Sequence, residues 1–277
     1  MKIKVLGTAA AEAIPAIWCE CDTCAKARQI GGKDIRRRCC YLIDDDTLVD
    51  FGPDAFWQIN DFSIDLLKIK RIIYTHRHSD HLNPLELLWR RKQTCVVSRN
   101  INVFGPPEIF QEIVMKAAHV GLAYSLEELR ITPHFLEAGK HADDDGLGML
   151  PLPANHDPGG SPFFYILSRN GRKILIGNDT GYPSETAWKL MADQKVDLAF
   201  LDCTTALANP NCISGHMGAN TVVQVRDRLR ECGALKPDAQ VYANHFSHNG
   251  HALHADLEAF FVPKDIGVTY DGLTLNA

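Results

Sequence analysis

No stretch of this 277-residue chain stays apolar for the roughly 20 residues that a membrane span needs, so the expectation is a protein that does not cross a bilayer. Its opening Met1-Lys2-Ile3-Lys4-Val5-Leu6-Gly7-Thr8 lacks the long apolar core of a secretory signal; it reads as a first strand, and the expected location is cytoplasmic. Basic charge is scarce too. The 29 Lys and Arg are outnumbered by 34 Asp and Glu, a net charge of -5, whereas a protein gripping long RNA or DNA presents a basic face to phosphate. That balance favours a small substrate, with nucleic acid and membrane not expected as partners. Internal repeats, linkers and low-complexity tracts are also lacking. The chain therefore reads as one domain over 1–277, with 45% hydrophobic content for a full core.

What the chain does have is twelve histidines and nine cysteines. With no secretion signal, an odd number of cysteines reads as thiols or metal ligands, since a disulfide framework normally pairs an even number. The densest histidine cluster is Tyr74-Thr75-His76-Arg77-His78-Ser79-Asp80-His81. Before it, Lys70 to Thr75 has the composition of a buried strand; after it, Pro84 to Arg91 that of a helix. Ligand-type side chains at i, i+2, i+4 and i+5 do not share one face of a strand or helix, so the cluster is expected in a turn. Such a turn points His76 and His78 at one ion and Asp80 and His81 at a neighbouring one, through ligands that Zn²⁺, Mn²⁺ and Fe²⁺ all accept.

Three thiols stand at Cys19, Cys21 and Cys24, a C-x-C-x-x-C spacing that lets three sulfurs converge on one tetrahedral ion and leaves a fourth ligand to come from elsewhere. A redox Cys-x-x-Cys pair is the rival, without the βαβ surroundings such pairs favour. Gly31 to Arg38 is a basic loop, read as a solvated face or as a contact to substrate phosphate. Cys40 to Ile43 and Thr47 to Phe51 form a hairpin through three aspartates. Ile101 to Gly105 is an expected strand and Pro107 to His119 a helix, and 121–148 is expected to add strands and a loop near the site opening. Strands at Gly148 to Asn155, Lys173 to Ile176, Val196 to Leu201 and Gln240 to Ala243 deliver His156, Asp179, Asp202 and His245 at their ends, and Phe163 to Leu167 pairs with the second. Helices are expected at Pro183 to Ala192 and about 220–232. His119, His134 and His141 read as ordinary surface or core histidines, and His251 and His254 as outer-sphere or surface residues.

The segment Thr75 to His81 resembles the signature of the metallo-β-lactamase superfamily, with Pro84 in place of the usual Gly three positions after the last His. The resemblance implies an α/β (α+β in some schemes) four-layer αββα sandwich with a zinc-binding insertion at about 15–38. It also implies that His76, His78 and His156 hold one ion and Asp80, His81 and His245 the other, with Asp179 bridging them. Asp50, in V-D-F-G-P, matches the motif that orients the ligand loop. Two ions about 4 Å apart share a water and lower its pKa by about 9 units, on the order of 12 kcal/mol. Cys19, Cys21 and Cys24 with His245-Phe246-Ser247-His248 resemble the PhnP-like phosphoribosyl cyclic phosphodiesterases, implying a structural zinc on the three cysteines and His248. They further imply a catalytic pair of Mn or Zn ions, catalytic roles for His216, Asp80 and Asp50, and a homodimer. The implied reaction is hydrolysis of a small cyclic phosphodiester by a hydroxide held between the two ions. Two alternatives stay open: a PqqB-like protein of quinone-cofactor biosynthesis, and a tRNase Z-like RNA 3′-processing nuclease, although the basic Gly-rich arm of the latter is missing.

Overall fold

Alternation along the strands decides how the layers stack. In the first strand, β1 (Lys2–Gly7), Ile3 and Val5 enter one core while Leu6 enters another; in β2 (Cys40–Ile43), Tyr41 and Ile43 point one way and Cys40 and Leu42 the other. A strand with apolar residues on both faces must be covered on both. The computed structural model describes residues 1–121 and 125–277 and covers both faces: two seven-stranded sheets pack against each other and carry helices outside, the expected αββα arrangement.

The first sheet continues through β3 (Thr47–Val49), β4 (Arg71–Ile73), β5 (Ile101–Gly105) and β6 (Ile131–Phe135); the last strand, β14 (Thr274–Asn276), pairs antiparallel with β1. From β3 to β6 the strands are parallel. The second sheet runs β7 (Ala142–Asp144), β8 (Leu147–Pro153), β9 (Phe163–Arg169), β10 (Arg172–Gly177), β11 (Val196–Asp202), β12 (Leu235–Asn244) and β13 (Gly267–Val268), with β10 to β13 parallel. Ile3, Val5, Tyr41, Ile43 and Ile73 of the first sheet meet Leu167, Ile174, Ile176, Leu198 and Phe200 of the second. Each fully buried aliphatic of this kind contributes about 1.5–3 kcal/mol.

Helices α2 (Ala55–Asp61), α3 (Pro84–Leu88) and α4 (Pro107–His119) cover the first sheet, and α5 (Glu185–Met191), α6 (Ala219–Glu231) and α7 (His254–Phe261) the second, together with α1 (Asp22–Ile30). Helix α4 has the expected bounds because Ile109, Phe110, Ile113 and Ala117 make one buried stripe. Pro84 opens α3 at its first turn, where its missing N–H is harmless, and Asn83 Oδ1 accepts the Leu85 N–H at 3.2 Å. Among the described residues no helix is long and apolar enough to cross a membrane.

Several expectations need correction. The expected strand Lys70 to Thr75 shrinks to Arg71–Ile73, freeing Thr75 to begin the turn, and the helix after it stops at Leu88. Residues 122–124 of the expected 121–148 segment lie outside the described residues; its strands β6 and β7 form the sheet edges and do not line the site cavity. The three arginines of the basic loop are held by the fold, while Lys33 stays exposed. Arg36 is buried, donating to Thr8 Oγ1 at 2.9 Å and the Thr269 carbonyl at 2.7 Å, while Arg37 pairs with Asp61 and Asp271, and Arg38 with Asp54. His254 also points inward, 2.9 Å from Arg36 and 3.0 Å from Glu258.

Candidate metal centre

Strand ends bring the histidines together. Chain reversal makes β8 run the same way as β10, so β4, β8, β10, β11 and β12 deliver the segments around His76, His156, Asp179, Asp202 and His245 to one edge of the sandwich, where ligands collect in parallel α/β folds. Asp50, Asp179 and His245 all have positive φ, +63°, +50° and +63°. Leaving the extended conformation at those positions swings the side chains out of the pleat, and strain of this kind gathers at functional sites. Gly52 also has a steric reason: a Cβ there would come within 2.0 Å of the Asp80 carbonyl oxygen. The Phe51 N–H donates to the His81 carbonyl, 2.9 Å, tying the Asp50 segment to the histidine turn.

The expected ligands fall into two adjoining groups. Candidate ligand atoms of His76, His78 and His156 lie within 4.8 Å of one another, as do those of Asp80, His81, Asp179 and His245. Asp179 reaches both, with Oδ2 3.0 Å from His81 Nε2 and 2.9 Å from His245 Nε2, and Oδ1 3.5 Å from His156 Nε2. Asp80 Oδ2 is 3.1 Å from His81 Nε2.

Hydrogen bonds at the outer nitrogens fix which atom each ring turns inward. Gly215 contributes a carbonyl, which only accepts, so His156 Nδ1 at 3.1 Å carries the proton and Nε2 a lone pair. Asp50 Oδ2 lies 2.7 Å from His81 Nδ1. Thr75 Oγ1 donates to Asp50, 3.0 Å, and is left to accept from His76 Nδ1 at 2.9 Å. Thr204 Oγ1 likewise donates to Asp202, 3.0 Å, and lies 2.9 Å from His245 Nδ1. His78 is turned the other way, its Nδ1 3.0 Å from His156 Nε2. Outer partners that fix the tautomer in this manner are characteristic of metal-bound imidazoles.

The residues fit a metal pair on a second count. His76 Nε2, His81 Nε2, His245 Nε2 and Asp179 Oδ2 are buried and make no hydrogen bond with a described residue, despite polar neighbours about 3 Å away. Buried polar atoms are rarely left so. These point at shared centres in place of one another, as ligand atoms do. Charge tells the same story: burial pulls His81 and His245 down, but Asp179 and its neighbouring carboxylates overcome this, raising His81 well above the ordinary range and His245 to about 10. For His76, burial and the charge of His81 both act downward. The carboxylates thus supply the charge that cations would balance.

His216 stands beside this set. Its Nδ1 is 3.0 Å from Asp202 Oδ2, and Asp202 is fully buried while also accepting the Met217 N–H at 2.9 Å and the Thr204 N–H at 3.0 Å. Burial lowers the imidazole's basicity, but Asp202 outweighs it and raises the pKa; Asp202 itself is held below the usual carboxylate range by its donors. Sequence reading placed Asp202 at a strand end without a role. The available signal was Asp202 directly after the apolar run Leu198 to Leu201, much as Asp179 follows the run Ile174 to Ile176. His78, Asp80, His156, Asp179, His216 and His245 open onto a cavity of about 410 Å³ that Glu12, Ser247 and Asn249 also line.

The cysteine group is a separate candidate centre. Cys19, Cys21 and Cys24 Sγ and a His248 nitrogen lie within 4.8 Å of one another, with His248 Nδ1 3.5 Å from Cys19 and 3.6 Å from Cys21. Burial raises the Cys21 thiol, but the Cys24 amide and His248 overcome it and bring it to about 6, whereas burial pushes Cys24 up to about 11. A lowered Cys21 thiol beside His248 matches a site that ionises fully when a cation arrives. The redox-pair rival is not favoured by a fourth ligand in reach.

A model of the β-lactamase superfamily domain matches residues 46–246. Three solved structures are similar over the whole chain: a diphosphatase from the PhnP family, at 20% identity and TM-score 0.75, covering 100% of this chain and 97% of that one; Zn²⁺-bound PqqB from Methylobacterium extorquens, at 16% and 0.77, covering 100% of both; and the short form of human tRNase Z, at 17% and 0.66, covering 100% and 99%. At these identities the likeness is one of fold.

Proposed function

Since the chain belongs to the metallo-β-lactamase superfamily and is a metal-dependent hydrolase, we propose that it is a phosphodiesterase acting on a small cyclic phosphodiester. The observation that carries this reading is the seven-residue set His76, His78, Asp80, His81, His156, Asp179 and His245, of which His78, Asp80, His156, Asp179 and His245 line one cavity, with the cysteine centre anchored three residues from His245 through His248. Two divalent ions, Mn²⁺ or Zn²⁺, supply Lewis acidity and an activated water when bound. The third ion is a structural zinc on Cys19, Cys21, Cys24 and His248.

The chain's own residues do the rest. Asp179 and Asp80 bring negative charge to a buried histidine cluster and so balance two cations. Asp50 and Thr75 hold His81 and His76 with their Nε2 atoms inward. His216, its Nδ1 engaged by Asp202, presents Nε2 to the cavity, where it donates to a phosphate oxygen or delivers a proton to the leaving alkoxide. His216, His245 and the N–H donors around Asp202 keep it ionised despite its burial, which maintains the imidazole as a donor. An acidic chain with a cavity of this size suits a small ester better than a long nucleic acid. The test is hydrolysis of ribose cyclic phosphates, nucleoside 2′,3′-cyclic phosphates and linear diesters by metal-reconstituted protein. Activity confined to RNA 3′ ends, or no diesterase activity with an empty second metal position, would contradict the proposal.

A further inference from the structure

Tyr41 puts a hydroxyl where the packing asks for none. It stands on β2 in the layer between the two sheets, among Ile3, Ile43, Ile73, Ile176 and Phe200, and is fully buried. A buried hydroxyl costs stability unless it is hydrogen-bonded, and a phenylalanine of nearly the same shape avoids that cost. Here the oxygen is paired with two amides of the other sheet: Asn178 Nδ2 and Asn244 Nδ2 each donate to it at 2.7 Å. Asn244 Nδ2 also lies 3.3 Å from Asn178 Oδ1, and Thr269 Oγ1 donates to Asn244 Oδ1, so the side chains form one buried polar group. Asn178 directly precedes Asp179, and Asn244 directly precedes His245. We propose that Tyr41 is a positioning residue for the metal centre: its hydroxyl ties the ends of β10 and β12 together and so sets the separation of Asp179 and His245. The assignment rests on the metal reading of the histidine cluster and not on which ester is cleaved.

The backbone shows why a tie is needed. Strands β10 and β12 are not neighbours; β11 runs between them, so no ladder bond joins their ends. Regular pairing with β11 stops at Gly177 and Asn244, and the chain then turns to positive φ at Asp179 and His245, +50° and +63°. A residue other than glycine holds that conformation only where its surroundings over-determine it. Asp202 gives one link through β11, accepting the Asp179 N–H at 3.2 Å with the same oxygen that lies 3.4 Å from His245 Nδ1. The Tyr41 group adds a direct link between the two strand ends and fastens it to the other sheet. The pair it steadies is the one whose ligand atoms, Asp179 Oδ2 and His245 Nε2, stand 2.9 Å apart and face the same ion. Outer groups that orient ligands in this way govern metal affinity.

The experiment titrates Zn²⁺ against a chelating dye into the full chain as wild type, Tyr41→Phe, Asn178→Ala and Ile43→Val, with thermal unfolding of each. Ile43→Val is the control, a small cavity on the same strand and in the same layer that leaves the polar group intact. Tyr41→Phe should bind one ion of the histidine cluster about 10-fold more weakly while the cysteine site keeps its affinity, and Ile43→Val should match wild type at every site. Asn178→Ala leaves the tyrosine in place and should show the same selective loss, which keeps the test open if Tyr41→Phe does not fold. Wild-type affinity in both folded variants overturns the assignment. So does a loss shared equally by the cysteine site or by Ile43→Val, since that marks Tyr41 as part of the general packing. A wild-type chain that binds only the cysteine ion removes the metal reading itself, and the positioning role with it.

Discussion

Replacing Asp50 by Asn is an informative single substitution because it changes one hydrogen-bond polarity and little else. Asp50 sits at φ +63°, a conformation that Asn tolerates nearly as well as Asp, so the backbone is not forced to move. Three donors converge on the carboxylate: the Thr75 N–H at 2.9 Å, the Thr75 hydroxyl at 3.0 Å, and His81 Nδ1 at 2.7 Å. An amide has one accepting oxygen. If it keeps Thr75, its NH₂ faces His81 and forces the ring proton onto Nε2, the atom aimed at Asp80 and Asp179. If it flips, an amide donor confronts the Thr75 N–H. Either arrangement loses one buried charge-assisted hydrogen bond, about 1.5–3 kcal/mol, which corresponds to about 10- to 100-fold in affinity for the ion at that position. The assay is metal titration against a chelating dye, with thermal unfolding to show that the variant is folded. A folded Asp50→Asn protein with wild-type metal affinity and turnover would refute the tautomer argument.

Removing the acceptor behind His216, in Asp202→Asn, is expected to lower kcat by about 100-fold with a smaller change in KM, read by steady-state kinetics, because the imidazole loses the carboxylate that keeps it a donor. His248→Ala should weaken zinc binding at the cysteine site, read by competition with a chelating dye, and lower stability by several kcal/mol, on the order of half a structural site, since three sulfurs remain. Asp197 accepts from Lys236 at 2.6 Å, Arg172 at 2.8 Å and the Lys173 N–H at 2.8 Å; burial raises its pKa, but these donors prevail and lower it. A depressed carboxylate stabilises the fold above its unfolded pKa of about 3.9 and loses that contribution as pH falls through the folded value. Asp197→Asn should therefore be less stable than wild type by about 1–3 kcal/mol at pH 7, with the gap closing below about pH 4, as followed by denaturant unfolding across pH.

The candidate site was more legible than the scaffold around it, for a physical reason. Ligands cluster locally at strand ends, so His76 to His81, His156, Asp179 and His245 each stand just beyond an apolar run that is easily read. Helix α1 escaped because Asp22–Ile30 buries only Thr23, Cys24 and Ala27 and so has no apolar stripe. Strand β12 begins at Leu235, five residues earlier than its composition suggests, because Lys236-Pro237-Asp238 is a largely exposed start to an otherwise buried strand. Arg36 looked like a solvated residue because its partners, Thr269 and His254, lie more than 200 positions away. Asp202 became recognisable as the support of His216 only when β11 and the loop before α6 met in space.

The central claim is that two bound ions on this seven-residue set hydrolyse a phosphodiester. Its most direct test is turnover of an aryl phosphodiester by metal-reconstituted wild type alongside Asp179→Ala, with metal content measured on the same samples. The account predicts three ions per wild-type chain and hydrolysis that falls by at least about 100-fold in the variant as ions are lost from the histidine cluster. Wild-type activity in Asp179→Ala, or a fully loaded wild-type protein inert toward every phosphodiester, would contradict it.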